Sequence, residues 1–117
     1  MGEVPSILHS EEANPEYLAF LAKAHVSIKQ FTQSKQALKQ AIAIGSDSPH
    51  VNDTIGVTLS RLGEHEQAIT FFEKAIAITP NNPTLYFNVA ASYKFTGKFC
   101  EAENAYEHAI TIKPDYV

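Results

Sequence analysis

Apolar residues recur along this chain with the period of an α-helix, and the clearest case runs from Pro49 to Pro80. Ile55, Gly56 and Leu59 fall at helical spacing before Gly63; beyond it, Ala68, Phe72, Ala75, Ile76 and Ile78 make an apolar stripe, with Glu66, Gln67, Glu73 and Lys74 on the other side. The pattern predicts two helices folded back on each other at Gly63. Gly56 and Ala68 are small where the helices of one hairpin must approach, and Phe72 is the large residue expected to fill the adjoining gap.

The segments on either side repeat this pattern at an offset of 34 residues: Pro15, Pro49 and Pro83 fall in step, as do Ala41, Ala75 and Ala109, and Ile44, Ile78 and Ile112. A fixed period of this length is the mark of a repeat architecture, in which each hairpin buries a face that it could not bury alone. Asn14–Pro15, Ser48–Pro49 and Asn82–Pro83 give three matching helix entries, with a capping side chain followed by a proline whose missing N–H costs nothing in the first turn. First helices are therefore expected at 15–29, 49–62 and 83–96, and second helices at 33–45, 67–79 and 101–113. Gly63 and Gly97 suit a left-handed helix end, whereas the matching position in the first copy is Lys29. If the turn is the same in all three, Lys29 costs on the order of 1 kcal/mol relative to glycine, and Lys29→Gly should stabilise.

These residues resemble the tetratricopeptide repeat. The middle copy carries the pattern as Asn52, Ile55, Gly56, Leu59, Ala68, Phe72 and Pro80. The third has Tyr86, Val89, Ala90, Tyr93, Ala102, Tyr106 and Pro114; the first has Leu18, Leu21, Ala22, His25, Ser34, Leu38 and Ser46. The resemblance implies an all-α fold, an α-solenoid of three antiparallel helix hairpins in a right-handed superhelix. Residues 1–14 then form a flexible lead-in and 15–117 a single domain, with repeats at about 15–48, 49–82 and 83–116. It also implies a concave groove lined by first helices that receives a peptide or partner segment. Carried over position by position, the groove set comprises Phe20, Lys23, Ser27, Asp53, Thr54, Val57 and Arg61 from the first two copies. The third copy adds Phe87, Asn88, Ala91, Lys94 and Phe95. One cation per repeat beside apolar side chains suits a partner that pairs acidic with apolar residues. The carboxylate clamp by which some members hold chaperone tails would fall on Ala19, Lys23, Thr54, Thr84 and Asn88, and those residues do not form it.

Composition narrows the function classes. A net charge of -4 with nine Lys and Arg argues against nucleic acid as the partner. The single cysteine, Cys100, excludes an internal disulfide and a cysteine-based zinc site. Met1, Gly2 and Ser6 match the myristoylation pattern formally, with an acidic Glu3 beside the glycine, and no apolar run reaches transmembrane length. The expectation is a cytoplasmic protein without membrane contact.

Candidate chemistry is sparse: no nucleophile elbow, phosphate loop or metalloprotease helix occurs, and no two histidines sit four apart on one helix face. His25 replaces the apolar Leu59 and Tyr93 of the other copies and reads as a packing residue. His108 aligns with the solvent-facing Lys74 and Gln40, and Cys100 with Thr32 and Glu66. The reading is a non-enzymatic protein-interaction module that needs no cofactor or metal. The alternatives are an assembly module that self-associates or stacks on a following domain through an uncapped C-terminal flank, with Tyr106 and Ile110 exposed there, and a docking domain within a longer enzyme.

Overall fold

The computed structural model describes residues 14–113, which form six α-helices and, among the described residues, no strand. The expected lead-in up to residue 13 and the closing Pro114 lie outside them. Helices α1 (Pro15–Ser27), α2 (Phe31–Ile44), α3 (Pro49–Arg61), α4 (His65–Ile78), α5 (Pro83–Phe95) and α6 (Phe99–Ile112) pair as three hairpins. The chain divides into two compact units between Ser46 and Asp47.

The three first helices open as the sequence predicts. Asn14 Oδ1 accepts from the backbone N–H of Glu16 at 2.8 Å, Ser48 Oγ from Val51 at 3.3 Å and Asn82 Oδ1 from Thr84 at 3.0 Å, each with proline in the first turn. The second helices begin at Phe31, His65 and Phe99, two residues before the expected starts. The apolar stripe locates only the buried interior of a helix, whereas the preceding turn sets its first residue.

That turn is one geometry used three times. The N–H of Gln30 bonds the carbonyl of His25, that of Glu64 bonds Leu59 and that of Lys98 bonds Tyr93, all at 2.8 Å. The residue just before each donor bonds back three positions, from Lys29 to Val26, Gly63 to Ser60 and Gly97 to Lys94. This double closure requires a left-handed residue after the helix. Lys29 occupies it at φ 64°, beside 85° for Gly63 and 80° for Gly97, so the lysine carries the expected strain.

In the first unit, Leu18, Ala22 and Val26 of α1 and Ala37, Leu38 and Ala41 of α2 form the buried core. Ser34 stands where the later copies have alanine. Its buried hydroxyl donates to the Ala22 carbonyl at 2.8 Å, which removes the cost of a polar atom between two closely packed helices. His25 Nδ1 lies 2.7 Å from Gln30 Oε1 across the turn, and its ring is half-buried.

In the second unit, α5 packs on α4 and α6 and also reaches α3. Phe72, 1% exposed, lies against the backbone of Gly56, where a Cβ would come within 2.6 Å of its ring. Asn52 is buried in the position that Leu18 and Tyr86 hold in the other copies, and its Nδ2 donates to the Ser48 carbonyl at 3.0 Å. Tyr106, the counterpart of Phe72, departs from the expectation of an unpartnered flank: it is half-buried and meets the Phe87 ring edge-on at 5.4 Å. Ile110 remains exposed.

Candidate partner-binding surface

Asp53, Val57 and Arg61 follow one another at four-residue spacing and so share a face of α3, while Asn88, Ala91 and Phe95 share a face of α5. The two faces meet where Asn88 Nδ2 donates to Asp53 Oδ1 at 2.9 Å. The sequence suggests Asn88 as a two-sided contact for a peptide backbone; in the structure its donor side is committed to α3. Arg61 and Lys94 are exposed and, among the described residues, their side chains form no ion pair. Val57 and Ala91 are half-buried beside them.

Phe95 is the most exposed aromatic of this surface at 69%, and its ring stacks on His65 with centroids 4.5 Å apart. Phe87 is half-buried and turned toward Tyr106, so part of its apolar area serves the core. Thr54 is buried, and its carbonyl accepts the Thr58 hydroxyl at 2.8 Å, which leaves it little surface to offer. Phe20 and Lys23 lie on α1 of the first unit, both exposed, as is Ser27, whose hydroxyl bonds the Lys23 carbonyl.

The other face of α5 holds a group that sequence reasoning missed. Tyr93 Oη donates to Glu73 Oε2 of α4 at 2.8 Å, and Tyr86 stacks on His108 of α6 with centroids 4.2 Å apart. Burial, then the hydrogen bond and charge of Glu73, then the charge of Glu101, push the Tyr93 phenol above its ordinary range. His108 is thus exposed but not simply solvated. A signal was available, since tyrosine replaces Asn52 and Leu59 at both matching positions only in the third copy. Cys100 is exposed, and among the described residues no group of three or more His, Cys, Asp or Glu is placed to hold a metal ion.

Residues 50–115, more than half of the chain, match a family model described as tetratricopeptide repeat, and residues 15–45 match a second model of the same description. The chain belongs to the tetratricopeptide repeat family. It is similar to the peroxisomal targeting signal receptor of Saccharomyces cerevisiae, 26% identical over 84 residues that make up 72% of this chain and 14% of the receptor. Subunit 6 of the anaphase-promoting complex of Arabidopsis thaliana is 28% identical over 99 residues, 80% of this chain and 18% of that protein. Among solved structures, MamA superposes with a TM-score of 0.78 at 26% identity, covering 93% of this chain and 64% of that one. The chain therefore spans less than a fifth of these two curated relatives. Membership and relatives together indicate a tetratricopeptide protein-interaction module. Among the described residues, no helix is long and apolar enough to cross a membrane.

Proposed function

We propose that this tetratricopeptide module binds a peptide or extended partner segment along the first-helix face of its second unit, between α3 and α5. The observation that carries the reading is the Asp53–Asn88 bond, which joins two helix faces that each carry an exposed cation beside apolar side chains. Arg61 and Lys94 supply charge; Val57, Ala91 and Phe95 supply apolar area; Asn88 Oδ1 can accept from a backbone N–H. A ligand with carboxylates next to apolar residues satisfies all three features, and its charges would speed encounter and fix its register. Phe20 and Lys23 repeat the same pairing on α1. The kinship with a receptor for a targeting signal supports a peptide as the ligand class.

A peptide array that varies acidic and apolar content tests this directly. Binding should concentrate on peptides with Asp or Glu beside large apolar residues and weaken as salt is raised. Equal binding to neutral or basic peptides would overturn the reading.

A further inference from the structure

Between α4, α5 and α6 the second unit has an open, solvent-facing cavity of about 300 Å³ on the face of α5 roughly opposite to Asn88, Ala91 and Phe95. Its floor is apolar, made by Ile76, Val89 and Ala105, and two tyrosines wall it. Both rings are held in place. Tyr86 Oη donates to the Pro80 carbonyl at 2.8 Å and its ring stacks on His108, which also lines the cavity; Tyr93 Oη is fixed by Glu73. Glu73 and Glu101 line the cavity as well, and no lysine or arginine among the described residues does.

We infer that this cavity receives an arginine side chain from a partner polypeptide. The match is chemical at each level. An arginine has a three-carbon apolar stem for the floor, a planar cation that stacks on aromatic faces, and paired N–H donors shaped for carboxylates. Tyr93 already occupies Glu73 Oε2, so Oε1 is the oxygen left to accept from the guanidinium. The raised phenol of Tyr93 keeps its hydroxyl neutral, and so a hydrogen-bond donor to Glu73, throughout the physiological range. Because walls and carboxylate are fixed before any ligand arrives, little ordering is left to oppose binding. Lysine fits less well, being a strongly hydrated point charge that neither stacks nor pairs in a fork. The site is independent of the surface formed by Asp53 and Asn88, which lies on another face of α5.

The experiment is an NMR titration of the full isotope-labelled chain with three capped tripeptides, glycine–X–glycine, in which X is arginine, lysine or the neutral isostere citrulline. The arginine peptide should give saturable shifts at Tyr86, Tyr93, Glu73 and Glu101. Citrulline should bind at least ~10-fold more weakly, the scale of an unpaired charge contact. Glu73→Gln with Glu101→Gln should abolish the arginine response, and Arg61→Glu with Lys94→Glu should leave it intact. The absence of saturable shifts would overturn the proposal, as would citrulline or lysine matching arginine, or an unchanged response in the Glu73→Gln, Glu101→Gln protein. The citrulline comparison uses only the unaltered protein and so decides even if the double variant does not fold.

Discussion

Gly56 shows how a single missing methyl group sets a helix spacing. Replacing it with alanine would gain up to about 1 kcal/mol of helix propensity. The new Cβ, however, would stand 2.6, 2.8 and 2.9 Å from three atoms of the Phe72 ring, which is 1% exposed and has nowhere to turn. Overpacking of that kind costs about 1–3 kcal/mol, so the steric loss exceeds the propensity gain. Gly56→Ala is expected to lower the urea midpoint; an unchanged or raised midpoint would mean that Phe72 relaxes freely. Tyr93 gives a second test at this scale. Its phenol is held above the usual range near 10 in the folded chain and titrates normally when unfolded. The neutral form is therefore favoured by folding: its contribution is complete below pH ~10 and fades as pH rises toward the folded value. Tyr93→Phe should flatten the loss of stability in mild alkali, measured by thermal unfolding across that range. An identical pH profile in both proteins would show that Tyr93 is not the group responsible.

At the scale of elements, helix entries were legible because they are local. Asn14, Ser48 and Asn82 cap the helix that begins at the next residue, and each proline occupies the position that needs no N–H. The turn at Lys29 was legible for another reason, since the copies at Gly63 and Gly97 display the geometry it must share. What stayed hidden were side-chain bonds between distant helices. Asn88 meets Asp53 across 35 residues, and Tyr93 meets Glu73 across 20. Each depends on the relative rotation and rise of two packed helices, which hydrophobic periodicity does not encode. The same limit applies to Tyr106, whose cover by Phe87 arises from how α5 and α6 dock. The strained turn predicts that Lys29→Gly stabilises by about 1 kcal/mol, because the left-handed penalty disappears. Amide hydrogen exchange should show slower opening of α1 and α2 in the variant; faster exchange there would mean that the lysine side chain contributes more than its backbone costs.

For the molecule as a whole, the fold does not by itself name a function, and the reading rests on particular surface residues. Three of the buried polar side chains bond backbone carbonyls inside the fold: Ser34 bonds Ala22, Asn52 bonds Ser48 and Thr58 bonds Thr54. Among the described residues, by contrast, Arg61 and Lys94 have exposed side chains that a partner can reach. Arg61 and Lys94 are the two cations that the first-helix reading depends on. The measurement that tests it most directly is a paired pull-down from the source cell with the unaltered chain and an Arg61→Glu, Lys94→Glu variant, after circular dichroism has shown both to be equally helical. Reversing two exposed charges should leave the fold intact and remove the partner, with the loss greatest at low salt. Retention of the same partners by the variant would contradict recognition at the α3 and α5 face.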